Sequence, residues 1–324
     1  MPTTLPAVVL DRAELAWAAG FFDGEGSTIV HTDKSRPGYL RLEVRVPQSG
    51  QGAVEPAVLL RFQTAAGGLG KIVGPEKDNI YKWVSRGRLE SIAVVALLWT
   101  HIGPVKRRQA NEAIKTFLAQ YELSAISPRA GHHECRVFEL LGSLVESPGD
   151  SRQLDLAWAA GFMDGEGSFG TARANKRVRG PNWYRVRASA TQHGEPGVVP
   201  EVLLRVQRVL GSLGRIERHG DIDDFKWVAE GDANVEMVLR MLEPYLGAVK
   251  VAQARRALEI FRAQPRLKGT ATHCVRGHEY SYTAMRGGRL RRICKPCARI
   301  LEQRSRAKQG IAPRCFKDPA RRYT

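Results

Sequence analysis

The sequence predicts an α+β fold: two tandem αββαββα(α) repeats about a pseudo-two-fold axis, each with a four-stranded saddle-shaped sheet, then a small C-terminal module. Three observations predict it. A segment near the start returns almost unchanged in mid-chain. The blocks after it return in the same order. The final stretch departs from both copies in charge and cysteine content.

Leu15–Ser27 reads LAWAAGFFDGEGS and Leu156–Ser168 reads LAWAAGFMDGEGS, identical at twelve of thirteen positions. EPAVLLRFQ (Glu55–Gln63) returns as VPEVLLRVQ (Val199–Gln207), and LGKI at Leu69 returns as LGRI at Leu213. KWV recurs at Lys82 and Lys226, and PVKRRQA at Pro104 becomes AVKVAQA at Ala248, all at an offset of 144 residues. Two copies of one fold account for this order.

Each copy opens with an apolar helix, near 11–25 and 152–166. Asp11 followed by Glu14 is a capping-box pattern, and Gly24/Gly26 and Gly165/Gly167 suit a helix C-terminus. Two strands follow. Tyr39–Val46 alternates strictly, with Leu40, Leu42, Val44 and Val46 on one face and Arg41, Glu43 and Arg45 on the other. In the second copy, Tyr184–Gln192 puts Arg185, Arg187, Ser189 and Thr191 on one face. A helix (55–66; 199–210), two strands (70–86; 214–230) and two helices (88–100 and 104–120; 231–245 and 248–263) complete each unit. One face of each sheet is left polar and basic. The expected boundaries are 1–122 for the first half, 123–150 for a linker, 151–265 for the second half and 266–324 for the module. The linker holds His132, His133 and Cys135, whose spacing matches no strong metal template.

The formal net charge is +17, which points to a polyanionic partner, although an arginine-rich source genome would also raise it. From Pro265 onward there are 16 Lys/Arg against 3 Asp/Glu, a net of +13, leaving +4 on residues 1–264. A basic tail on a nearly balanced body reads as a grip on that partner. No apolar run is long enough to span a bilayer and MPTTLPAVVL lacks a signal-peptide pattern, so the expectation is a soluble, cytoplasmic protein. Five cysteines, four of them in the last 51 residues, fit a metal site better than a disulfide framework.

The opening helix is apolar nearly all round, so it is buried. Ala16, Ala19 and Gly20 allow another backbone to approach, and the simplest partner is the copy at Ala157, Ala160 and Gly161. Side by side, the two helices would end together and place Glu25 beside Glu166. Two carboxylates at the negative ends of two helix dipoles raise each other's pKa or demand a cation. Mg²⁺ meets that demand, takes carboxylate oxygens and accepts phosphate oxygens from a substrate. The residues therefore point to metal-assisted phosphodiester hydrolysis at a two-fold interface. Asp23 and Asp164 read as helix-end packing residues.

AAGFFDGEG (Ala18–Gly26) and AAGFMDGEG (Ala159–Gly167) resemble the signature of LAGLIDADG homing endonucleases, over roughly residues 11–264. The metal-binding acid of that signature falls on Glu25 and Glu166. The resemblance implies that Gln48 and Lys106, with Gln192 and Lys250, organise the hydrolytic water, and that Gly24 and Gly165 are candidates to offer backbone carbonyls to the metal. It implies Mg²⁺, with Mn²⁺ or Ca²⁺ able to substitute in binding. It also implies a monomer whose sheets lie in the major groove of double-stranded DNA. Arg41, Arg45, Lys82, Arg185, Arg187 and Lys226 would be contacts there, on a long site made asymmetric by differences between the halves. A bacterial or phage-encoded origin is expected.

Cys274, His278, Cys294 and Cys297 form C-x3-H-x15-C-x2-C, a ligand set for a closed tetrahedral Zn²⁺ site. The segment resembles zinc modules appended to phage and bacterial HNH-type nucleases. Arg286, Arg289, Arg291 and Arg292 would add DNA grip, and Cys315 is a spare or substitute ligand. An HNH active site needs a further histidine pair, and only His273 is spare nearby. Rival readings are an RNA-binding intron maturase, a non-cleaving DNA-binding regulator of the same fold, and a nickase with one impaired half. The presence of both glutamates and both Gln/Lys pairs favours cutting.

Overall fold

The computed structural model describes residues 10–32, 38–50, 52, 54–119, 150–173, 184–218, 223–264, 272–274, 276–286 and 289–311. The linker residues His132, His133 and Cys135, and the spare Cys315, lie outside these. The chain divides into two compact units, Met1–Arg173 with Tyr184–Arg262 and Ala174–Trp183 with Ala263–Thr324. No helix among the described residues is long and apolar enough to cross a membrane.

In the first unit, helix α1 (Arg12–Glu25) contains neither proline nor a β-branched residue, and only Gly20 and Gly24 oppose helix formation in its interior. The Asp11 carboxylate caps it, accepting from the amides of Ala13 (2.7 Å) and Glu14 (3.4 Å). The capping box is only half made. The Glu14 carboxylate pairs instead with the Arg61 guanidinium at 2.6 and 2.9 Å, because a charge-assisted fork is stronger than a return bond to one amide.

Strands β1 (Ser27–Thr32) and β2 (Leu40–Ser49), helix α2 (Ala57–Ala65), strands β3 (Lys71–Val73) and β4 (Ile80–Val84), and helices α3 (Arg88–Leu98) and α4 (Pro104–Ala119) follow. The second copy repeats them as α5 (Ser151–Gly165), β5 (Gly167–Arg173), β6 (Tyr184–His193), α6 (Glu201–Val209), β7 (Arg215–Arg218), β8 (Asp224–Glu230), α7 (Asp232–Leu242) and α8 (Ala248–Arg262). Asp150 caps α5 through the amide of Arg152 at 2.9 Å. Each half forms an antiparallel four-stranded sheet, ordered β1-β2-β4-β3 and β5-β6-β8-β7.

The strand alternation holds. Leu42, Val44 and Val46 are buried on the helix side of β2, while Arg41, Glu43 and Arg45 face outward. In β6, Val186, Ala188 and Ala190 are buried with Arg185 and Arg187 on the outer face, though Ser189 on that face is also buried. The recurring KWV and LGKI/LGRI blocks have a common cause. The buried indoles of Trp83 and Trp227 donate to the carbonyls of Leu69 and Leu213, each at 3.0 Å.

Helices α1 and α5 lie against each other along their buried faces. Gly20 and Gly161 permit this: a Cβ on either would lie 1.8 Å from the carbonyl oxygen of Trp158 or Trp17, respectively. The glycines at the helix ends do not supply left-handed caps. Gly26 is extended (φ −75°, ψ 154°), and Glu166 ends α5 in right-handed helical geometry. These glycines serve close approach instead. A Cβ on Gly26 would meet the Phe22 ring at 2.0 Å, and one on Gly167 the Met163 carbonyl oxygen at 2.3 Å.

The second unit contains a hairpin of β9 (Tyr282–Arg286) and β10 (Arg289–Ile293), followed by α9 (Lys295–Lys308). The Cys294 sulfur caps α9 through the amide of Cys297 at 3.5 Å.

Candidate active site

The end-to-end match of α1 and α5 delivers one glutamate from each. A Cβ on Gly24 would lie 2.9 Å from Cγ of Glu166, and one on Gly165 would lie 3.0 Å from Cγ of Glu25. Each acid's stem therefore runs across the other helix, over a glycine that leaves room for it. The two charges meet. Burial, and next the Glu25 charge, push the Glu166 carboxyl up to about 7. Burial likewise raises Glu25, against the opposing pull of Lys250 and Lys106.

Lys106 and Lys250 sit in the first turns of α4 and α8, beside the acids. Nζ of Lys106 donates to the carbonyl of Gly26 at 2.6 Å, and Nζ of Lys250 donates to the carbonyl of Gly167. Burial lowers both ammonium pKa values, and Asp23, Glu166 and Glu25 for Lys106, or Asp164, Glu25 and Glu166 for Lys250, pull them back up. Gln48 and Gln192 lie near the ends of β2 and β6, where each Oε1 is buried without a hydrogen-bond partner. A buried acceptor left open is costly unless water or a ligand meets it. Gln192 shares a cavity of about 400 Å³ with Asp23 and Lys106 of the first half. The two raised carboxyls, two lysines and open amide oxygens fit a divalent cation with its attendant water.

Asp23 and Asp164 have a defined place. The Asp23 carboxylate accepts from the amide of Gly103 at 2.8 and 2.9 Å and from the indole N–H of Trp158 at 2.8 Å. Asp164 repeats this with Gly247 (2.8 and 3.0 Å) and Trp17 (2.8 Å). Burial outweighs these bonds and pushes Asp23 up to about 6.

Sequence reasoning missed Arg61 and Arg205. Each guanidinium carbon sits 3.9 Å over an indole, Arg61 over Trp17 and Arg205 over Trp158. Their signal was an arginine at the same place in LLRFQ and LLRVQ, on helices whose Leu59 and Phe62, or Leu203 and Val206, are buried.

The outer sheet faces are basic. Arg41, Arg45 and Lys82 line one groove of about 820 Å³, joined by Lys71, Arg86 and Arg88, which the repeat pattern did not single out. Arg45 donates to the Ser27 hydroxyl at 3.2 Å, and Lys82 pairs with Glu76. In the second half Arg185 pairs with Glu230 at 3.2 Å, while burial, then the Arg187 charge, lower the pKa of Lys226.

In the second unit, one ligand atom from each of Cys274, His278, Cys294 and Cys297 lies within 4.8 Å of the others. Cys274 Sγ is 3.7 Å from Cys297 Sγ and 3.6 Å from His278 Nδ1, and Cys297 Sγ is 3.4 Å from that nitrogen. A tetrahedron of thiolates about 2.3 Å from zinc has edges of about 3.8 Å, whereas a disulfide requires about 2.05 Å. The donor set and spacing fit zinc. Arg292 is exposed on β10. Arg286, Arg289 and Arg291 lie on this hairpin, with side chains outside those described.

No model of a known protein family matches the chain. Among solved structures, it is similar to the LAGLIDADG homing endonuclease I-GzeII in complex with a DNA target (14% identity, 78% of this chain and 90% of that one, TM-score 0.54). The LAGLIDADG homing endonuclease I-LtrWI bound to target DNA is also similar (18% identity, 78% and 91%, TM-score 0.54). So is I-SmaMI bound to uncleaved DNA in the presence of calcium ions (15% identity, 78% and 92%, TM-score 0.50). These likenesses establish the fold. In sequence, 116 residues are 33% identical to DNA endonuclease I-CvuI of Chlorella vulgaris, spanning 36% of this chain and 69% of that protein. With the doubled glycine–acid motif, the paired helices that carry it and this degree of identity, the chain belongs to the LAGLIDADG homing endonuclease family.

Proposed function

We propose that this protein is a site-specific DNA endonuclease that hydrolyses both strands of a long, asymmetric double-stranded site, acting as a soluble, cytoplasmic monomer with two halves in one chain. The observation that carries this reading is the meeting of Glu25 and Glu166 at the ends of α1 and α5, where burial raises both pKa values and the Glu25 charge raises that of Glu166 further. Glu25 and Glu166, with the backbone carbonyls of Gly24 and Gly165, would hold Mg²⁺, with Mn²⁺ or Ca²⁺ able to replace it in binding. Bound there, the ion supplies Lewis-acid charge for the phosphate group and makes water more acidic.

The chain's own groups do the rest. Gln48 and Gln192 offer open acceptors to orient the attacking water. Lys106 and Lys250, held at Gly26 and Gly167, place positive charge beside the scissile phosphates and can pass a proton, since burial has already lowered their pKa values. Arg41, Arg45 and Lys82 from one sheet and Arg185, Arg187 and Lys226 from the other contact DNA, sorting between bases and phosphates. The halves differ at these positions, hence the asymmetric site.

The C-terminal residues 266–324 form a module in which Cys274, His278, Cys294 and Cys297 hold Zn²⁺, and Arg286, Arg289, Arg291 and Arg292 add grip. The body divides into halves at 1–122 and 151–265, joined by 123–150. A site selected from a randomised library, placed in a plasmid and incubated with Mg²⁺, tests the reading. Linear product supports it, open circles alone mark a nickase, and an unchanged plasmid that is still bound marks a regulator or RNA-directed maturase. Glu25→Gln and Glu166→Gln should abolish cutting and leave DNA binding intact; equal loss of both would make these acids structural.

A further inference from the structure

Each half's lysine-bearing helix is anchored by an arginine of the other half. Arg205, on α6 of the second half, donates to the carbonyl of His101 in the first half at 2.6 Å. The same guanidinium covers Trp158, whose indole N–H reaches Asp23, which in turn holds the amide of Gly103. Arg205 thus grips the turn before α4 twice, once directly and once through Trp158 and Asp23. Lys106 lies three residues beyond Gly103. Arg61 copies the arrangement in reverse. It donates to the carbonyl of Tyr245 at 2.7 Å, and lies 3.7 Å from Asp164, which binds Trp17 and the amide of Gly247 before α8 and Lys250. Glu14 and Asp155 steady the two arginines at 2.6 and 3.4 Å.

We propose that Arg61 and Arg205 are positioning residues that set Lys250 and Lys106, each from the opposite half, and that each governs cleavage of a different DNA strand. The strand assignment follows from symmetry, because two pseudo-equivalent lysine sites face the two antiparallel strands of a duplex. Lysine cannot replace arginine here. The clamp uses a flat stacking face and a rigid fork of donors, which an ammonium lacks.

The inference rests on the nuclease reading for its strand effect, and on the hydrogen-bond chain alone for its coupling. Two measurements on the full chain separate these. Amide exchange should show faster exchange at 103–107 in Arg205→Leu and at 247–251 in Arg61→Leu, each change confined to its own helix start. Cleavage of a duplex labelled on both strands should show the rate ratio between strands shifting about tenfold, in opposite senses for the two variants. Arg205→Lys and Arg61→Lys keep the charge and should show the same senses of change. An equal slowing of both strands, or exchange that quickens over the whole body, would overturn the proposal. If the wild-type protein cuts neither strand, the nuclease reading fails and so does the strand assignment, while the exchange pattern still decides the coupling.

Discussion

Replacing Gly20 with alanine tests the contact on which the site depends. Its Cβ would lie 1.8 Å from the Trp158 carbonyl oxygen, 2.7 Å from that carbonyl carbon and 2.9 Å from the Phe162 amide nitrogen. All three neighbours are backbone, so no rotamer change relieves the clash. Helices α1 and α5 must part by about 1.2 Å to reach even a tight 3.0 Å contact. That shift would stretch the indole–carboxylate bonds of Trp17 and Trp158, now 2.8 Å, beyond hydrogen-bonding range. Overpacking costs about 2 kcal/mol and each buried bond about 1 kcal/mol, against a helix-propensity gain of about 1 kcal/mol for alanine. The net is a destabilisation of about 3 kcal/mol. Urea denaturation followed by tryptophan fluorescence reads it, and plasmid cleavage reads the separation of Glu25 from Glu166. Gly161→Ala should behave alike. Gly170→Ala, whose Cβ enters open space, should leave the denaturation midpoint unchanged. A Gly20→Ala protein as stable and as active as wild type would refute the close packing of α1 on α5.

Other outcomes are expected. In EDTA, stability should fall as pH rises from about 4.5 toward 7, because folded Glu166 keeps a proton to about 7 that the unfolded chain has already released. The Glu25→Gln/Glu166→Gln variant should lose the part of this slope nearest pH 7, and a thermal melt series in which it keeps that slope would exclude carboxylate crowding. The second unit should carry one zinc per chain by metal analysis, and strong chelation should unfold it. Cys294→Ser should release the metal and weaken DNA affinity without altering the rate of bound-state cleavage. Unchanged affinity in a binding titration would remove the clamp role.

Much was legible in one dimension because local periodicity and repetition encode it. The alternation of Leu42, Val44 and Val46 with Arg41, Glu43 and Arg45 marked the sheet's two faces, and the repeated apolar helix identified its own copy as the partner. Symmetry then brought Glu25 to Glu166. The tertiary structure alone decided what depends on contacts between distant residues. Trp17 meets Asp164 across 147 positions and Trp158 meets Asp23 across 135, distances over which no periodicity carries a signal. Glu14 leaves its cap for Arg61, and the helix-end glycines serve close approach rather than left-handed turns, because packing energies between helices exceed the local preferences that suggested otherwise.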